Sequence, residues 1–269
     1  MPRSPNIPAG LYVLSLITRL TPKVPGAGRV CNLLGDAYLR RRDPGRIRIQ
    51  AMGFELRVDP SESACQKALT FYPHLYDREE FTFLRNVLRP GGTFVDAGAH
   101  IGIYSLFASR LVADAGRVLA IEAVRGTYDQ LVGHIELNGA RNVTARQIGL
   151  SGRSETLNVE PNPSNTGGNR LSSEGSGESI RCIPLLEFLV NEKVTTITAL
   201  KLDIEGMEHP VLKAFLRDAD RSLWPAHVIV ETNRLKGDAR DPVEVLREHG
   251  YQIKGRASLN TMLSLKART

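Results

Sequence analysis

The chain has 269 residues, 42% hydrophobic and 24% charged, with a formal net charge of +6. This length holds one full α/β domain with additions, and the composition is ordinary for a soluble globular protein, which excludes a disordered or fibrous chain. Cys31, Cys65 and Cys182 lie far apart without Cys-x-x-Cys spacing, which excludes a disulfide framework or a zinc site and points to reduced thiols in the cytoplasm.

The charge is uneven. Residues 1–50 carry nine Lys/Arg against two Asp/Glu, and the remaining 219 carry 26 against 27. Arg40, Arg41, Arg42, Arg46 and Arg48 supply most of the excess, which would attract an acidic substrate, a membrane surface or RNA. No aromatic residue interleaves with them, so a stacking platform for nucleic acid is not expected. The apolar run over 11–20 is too brief to span a bilayer and has no cleavage signature after it. It predicts an amphipathic helix that docks on the body or pairs two chains as a homo-oligomer.

Pro22 to Gly26 interrupts that helix, and a second apolar segment covers 30–39. Ile47 and Ile49, then Phe54, Leu56 and Val58, alternate with polar residues around Gly53, the pattern of an antiparallel hairpin. We therefore expect a basic N-terminal segment over 1–60 and a main domain over 61–269. That domain opens with a helix over 77–88, with Asp77 and Glu80 at capping-box spacing and Phe81, Leu84 and Leu88 on one face.

Next comes Thr93-Phe94-Val95-Asp96-Ala97-Gly98-Ala99-His100-Ile101-Gly102, a buried strand, a glycine turn and the start of a helix. Twenty positions after Gly102 a second strand, 117–121, ends in Glu122, the offset at which an acid holds a ribose. The turn reads Asp-x-Gly-x-x-x-Gly, led by a carboxylate and lacking the Gly-x-Gly-x-x-Gly of a pyrophosphate site. It suits a ligand with a cationic amino group and a ribose but no phosphates, and S-adenosylmethionine fits that description better than NAD.

A helix capped at Thr127 and ending near Gly139 follows, then a strand over 143–150. Residues 151–184 form a long insertion. Leu157 and Val159 suggest a short strand, and 161–177 is a Pro-, Asn-, Ser- and Gly-rich loop, read as a lid. The β-branched run over 195–202 leads into Asp203 and Glu205 and a helix carrying His209-Pro210 in its first turn. A strand over 228–232, a helix from Asp241-Pro242 to Gly250 and a hairpin of 251–254 with 261–266 complete seven strands. Strands alternating with helices predict an α/β fold with a mostly parallel sheet, helices on both faces and a C-terminal antiparallel hairpin. Asp96, Glu122, Asp203, Glu205 and Glu231 all fall at strand ends, where ligands of such sheets bind. Lys201, Asp203 and Glu205 alternate onto one face, so Lys201 either pairs with a carboxylate to anchor the strand end or serves the site.

Three stretches, Phe94 through Gly102, Ile135-Glu136-Leu137-Asn138-Gly139 and Leu200-Lys201-Leu202-Asp203-Ile204-Glu205-Gly206-Met207-Glu208, resemble the FkbM family of methyltransferases, as does the entry at Tyr76-Asp77 to Glu80. The resemblance covers roughly 76–231. It departs from the family at His100, where Asn is usual, and at Glu122-Ala123, where Glu-Pro is usual. It implies a Rossmann-like class I fold and methyl transfer from S-adenosylmethionine to an oxygen of a saccharide or secondary metabolite. Asp96, Gly98, Ala99, His100, Gly102, Glu122 and Asp203 are the candidate cofactor-binding residues, and Asp203, Glu205 and His100 the candidate catalytic ones, as base or acceptor anchor. Mg²⁺ is a candidate at Asp203 and Glu205 without a clear ligand set, and no metal site is assigned. The remaining histidines at 74, 134, 227 and 249 are scattered. Competing functions are an RNA methyltransferase recruited by the basic arm, a nicotinamide-dependent oxidoreductase and a non-catalytic nucleoside-binding module.

Overall fold

The computed structural model describes residues 7–24, 26–162, 165–232, 241–257 and 259–266. The chain divides into two compact units. The first comprises the residues up to Arg78 with Asn162–Gly168, and the second comprises Glu79–Pro161 and the chain after Gly168.

In the first unit, α1 (Ala9–Arg19) and α2 (Ala27–Leu39) precede the hairpin of β1 (Ile47–Ala51) and β2 (Phe54–Val58). Met52 and Gly53 both adopt positive φ in its two-residue turn, the geometry that matches strand twist. Ile47, Ile49, Ala51, Phe54, Leu56 and Val58 are buried on one face. A further helix, α3 (Ala64–Phe71), starts at Ser63, whose hydroxyl accepts the Gln66 N–H. It packs on α1, α2 and β1, and this packing carries the unit past position 60. Phe71 lies over Gly35 of α2 so closely that a Cβ there would stand 2.9 Å from the ring.

The second unit is built on α4 (Arg78–Val87), β3 (Thr93–Ala97), α5 (Ile103–Val112), β4 (Arg117–Glu122), α6 (Arg125–Leu137) and β5 (Val143–Gln147). After them come β6 (Gly149–Leu150), β7 (Glu155–Glu160), β8 (Arg170–Ser172), β9 (Ser179–Ile183) and α7 (Leu185–Asn191). The chain then returns through β10 (Ala199–Leu202), α8 (Glu208–Asp218), β11 (His227–Glu231), α9 (Pro242–Glu248), β12 (Tyr251–Arg256) and β13 (Asn260–Leu265). Seven of these strands form one sheet in the order β12-β13-β11-β10-β3-β4-β5. The five from β11 to β5 are parallel, and β13 runs antiparallel between β11 and β12. Val95, Leu119, Leu200, Val228 and Val230 face α7, α8 and α9 in a closed apolar core. On the other face Phe81 of α4 stacks on Tyr104 of α5, ring centroids 4.5 Å apart. The chain leaves β3 for β4 and β5, then crosses back to β10, so strand order reverses between β3 and β10. Ligands of open α/β sheets bind outside the strand ends at such a point.

Three local expectations change. α6 starts at Arg125, two residues before Thr127, so Thr127 lies buried inside its first turn, and the Arg125 N–H is capped by Glu178 Oε1 at 2.6 Å. The strand expected over 143–150 breaks at Ile148, since Gly149 and Leu150 pair with β9 and not with β4. The insertion carries a four-stranded sheet, β6-β9-β7-β8, closed by Leu157, Val159, Ile180 and Cys182; within 161–177, the stretch read as a lid, β8 alone is paired strand among the described residues. Residues 163 and 164 lie outside the described part. Among the described residues no helix is long and apolar enough to cross a membrane.

Candidate active site

The turn after β3 needs its glycines. Gly98 has φ +76° and Gly102 φ +90°, where a side chain is strained. A Cβ on Gly98 would stand 1.7 Å from the Asp203 carbonyl oxygen, and one on Gly102 would stand 2.5 Å from Leu131 Cδ1. The N–H groups of Gly98 and Ala99 both donate to the Ile121 carbonyl, at 3.0 and 2.9 Å, which locks the turn to β4. His100 adopts φ +50°, and its N–H donates to Glu122 Oε2 at 2.9 Å.

Glu122, at the tip of β4, accepts the Val124 N–H on its other oxygen at 2.9 Å. It is 8% exposed, and burial pushes its carboxyl up to about 7 against the two N–H bonds, which favour the charged form. Each oxygen keeps a second lone pair, so the carboxylate still has sites for two hydroxyls.

Asp96 is the most enclosed of the strand-end acids. Its carboxylate is fully enclosed and turned beneath α5, where Ser105 Oγ donates to Oδ2 at 2.6 Å and Lys201 Nζ stands 4.0 Å from Oδ1. Burial pushes the Asp96 pKa up despite Lys201. Its Oδ1 makes no hydrogen bond among the described residues. The carboxylate fixes α5 and Lys201 from below.

Lys201 joins the two halves of the site. It is 4% exposed and donates to Asp203 Oδ2 at 3.0 Å and to the Gly98 carbonyl at 3.3 Å. Its ammonium also stands 5.0 Å from the centre of the Tyr104 ring, a cation–π distance. The Asp203 N–H donates to the Ala97 carbonyl, so the end of β10 is sewn to the end of β3. Beyond it, Glu208 accepts the N–H groups of Ile204 and Gly206 on its two oxygens, at 2.8 and 2.9 Å. Glu205, at φ +58°, sits on the loop folded this way. Carboxylate oxygens of Asp203, Glu205 and Glu231 lie within 4.8 Å of one another. That spacing suits a shared proton, a cationic group or a hard divalent cation.

The structure therefore gathers Gly98, Ala99, His100, Gly102 and Glu122 around one turn. It gathers Asp203 and Glu205 with Glu231 around the next strand ends, and Lys201 bridges the sets. Glu208 as the brace of the 203–207 loop is new. Its signal is an acid in the first turn of α8, two residues past a glycine.

A sequence model of the methyltransferase FkbM domain matches residues 96–253. The chain belongs to the FkbM methyltransferase family. The matched span opens at Asp96 and includes every residue just described as part of the site. The methyltransferase SdnD of Sordaria araneosa is 28% identical, over 68% of this chain and 80% of that protein. The 31-O-demethyl-FK506 methyltransferase FkbM of Streptomyces tacrolimicus is 27% identical, over 65% and 80%. Among solved structures, the methyltransferase FkbM of Methylobacillus flagellatus is similar at 19% identity and a TM-score of 0.45, covering 88% of this chain and 60% of that one.

This FkbM methyltransferase is an S-adenosylmethionine-dependent enzyme with a class I fold. Its donor set fits that cofactor. Glu122 offers the lone pairs that a ribose diol needs, and the turn offers backbone at close approach. The nearby cation, Lys201, is engaged with Asp203 and the Gly98 carbonyl, an arrangement that suits a phosphate-free nucleoside.

Proposed function

We propose that this FkbM methyltransferase methylates a hydroxyl oxygen of a small molecule or saccharide. The observation that carries the reading is the carboxylate cluster of Asp203, Glu205 and Glu231, beside the cofactor turn and bonded to it through Lys201. S-adenosylmethionine supplies a methyl group already activated on a sulfonium. The enzyme's residues have the other tasks, to align an alcohol with that methyl and to take its proton. Glu122 holds the ribose, and the backbone of Gly98, Ala99, His100 and Gly102 carries the rest of the nucleoside. Asp203, held from one side by Lys201, anchors the acceptor hydroxyl, and Glu205 receives its proton as the new C–O bond forms. His100, on the first turn, is the second candidate for that proton. A hard cation held by Asp203, Glu205 and Glu231 would activate the hydroxyl in the same place, and the effect of a chelator on the rate separates the two routes.

The test is turnover with labelled cofactor and a panel of sugars and hydroxylated metabolites, reading the methoxy product by mass spectrometry. Glu205→Gln is expected to lower kcat by about 10²-fold or more while the cofactor Kd stays within a few-fold. Methylation confined to amine or carbon acceptors, or full turnover in both Glu205→Gln and Asp203→Asn, would overturn the proposal.

A further inference from the structure

The first unit presents a surface that methyl transfer does not use. On α1 the exposed large side chains are Val13, Leu16 and Ile17, continued by Leu20 just past the helix end. They recur at i, i+3, i+4 and i+7, the spacing of an apolar stripe that normally faces a core. Here it faces outward, with Ile17 57% and Leu20 84% exposed. The inward positions of the same helix include Ser15 and Thr18, whose hydroxyls bond the Tyr12 and Phe71 carbonyls at 2.8 and 2.6 Å. Leu11 is buried beside them, so α1 carries aliphatic residues on both its inward and its outward face. α2 repeats the arrangement: Ala27, Cys31 and Gly35 are buried while Val30, Leu33 and Leu34 are exposed, Leu33 by 64%.

Basic residues accompany these helices along the chain. Lys23, Arg29, Arg40, Arg41 and Arg42 are exposed, and none of them has an ion-pair partner among the described residues. Of the two acids in the first 50 residues, Asp36 is bound to Lys67 at 2.7 Å, and Asp43 accepts the Gly45 N–H.

We propose that α1, α2 and the arginines at 40–42 dock the protein on an anionic lipid bilayer. Helices of 11 and 13 residues fall short of the ~20 needed to cross one. An apolar stripe with a basic margin instead lies in the plane of the headgroups, with the aliphatic residues among the acyl chains and the guanidinium groups on phosphates. Charge decides between this occupant and a second copy of the chain. A two-fold pairing doubles the same uncompensated positive charge within one assembly, whereas an anionic membrane complements it.

The experiment is co-sedimentation of the full-length protein with phosphatidylcholine vesicles, with and without phosphatidylglycerol. Binding is expected only with phosphatidylglycerol, and it weakens as salt rises. Ile17→Glu with Leu33→Glu is expected to reduce it on the order of tenfold or more, and Arg40→Glu with Arg41→Glu to reduce it comparably. Both pairs sit on exposed positions, so unchanged thermal melts verify that loss of binding is not loss of fold. No sedimentation, equal sedimentation with both vesicles, or loss on arginine replacement alone would overturn the proposal. So would a dimer in light scattering that Ile17→Glu dissociates in the absence of lipid binding.

Discussion

The ribose contact proposed for Glu122 would tie pH to cofactor binding. The native Glu122 carboxyl titrates near 7 against an ordinary 4.5, so the ionised form is less favoured in the fold than in the unfolded chain. The sign follows: relative to the acid range, Glu122 lowers stability progressively as pH rises from 4.5 through 7. Ribose hydroxyls donate best to the ionised carboxylate, so cofactor binding should expel a proton. Affinity for S-adenosylmethionine is then expected to rise between pH 6 and 8, with proton release visible by calorimetry in buffers of different ionisation enthalpy. Glu122→Gln should flatten that profile and weaken binding roughly ten- to a hundredfold, the worth of a charge-assisted hydrogen bond. A flat profile in the unmodified protein would refute this. Lys201 carries a second prediction. It is nearly fully buried between Asp203 and Asp96, and removing one partner of a buried ionic group costs about 3–5 kcal/mol. Lys201→Met should therefore lower stability to denaturant by about that amount, and adding Asp96→Asn should recover part of it. If the single change is silent, Lys201 is not the counter-ion drawn here.

Among the elements, the β3–α5 turn was legible because few local structures besides a ligand-holding turn combine this glycine spacing with an acid at a strand end. Gly98→Ala tests how tightly it is built. The new methyl would stand 1.7 Å from the Asp203 carbonyl oxygen at a backbone angle that disfavours it. The ends of β3 and β10 must then separate, and a loss of about 3 kcal/mol or more in stability is expected together with weakened cofactor binding. An unaltered melting temperature would mean that the two strand ends are not in contact. Other elements were hidden for a physical reason. α3 and α7 span eight and seven residues, too few turns for a helical period to stand out. β9 shows only Ile180, Cys182 and Ile183 as buried apolar residues, and its partners β6 and β7 make it a strand through contacts distant in sequence. The polar composition of 161–177 masked β8, whose three residues pair with β7.

For the whole molecule, the α/β alternation made the parallel sheet readable, and Glu122, Asp203 and Glu231 do fall at strand ends. The facing of Asp96 was not readable. A sheet covered by helices on both sides buries both faces, so alternation along Thr93–Ala97 cannot tell whether Asp96 looks into the crevice or under α5. Only the Ser105 and Lys201 contacts decide it. The same covering makes a prediction about stability across the sheet. β3 and β10 lie between two parallel neighbours, and β10 is buried at every position. β5 is paired on one side only and exposed toward its end, and β12, at the opposite edge, is largely exposed. Local opening is favoured where few buried contacts are lost. Amide exchange followed by mass spectrometry is therefore expected to be slowest in β3 and β10, tracking global unfolding, and faster in β5 and β12. Lys201→Met should speed exchange in β3 and β10 together, because its side chain binds the ends of both. Uniform protection from edge to edge, or acceleration in one of the two central strands alone, would contradict the strand order and the role of Lys201 as the tie between them.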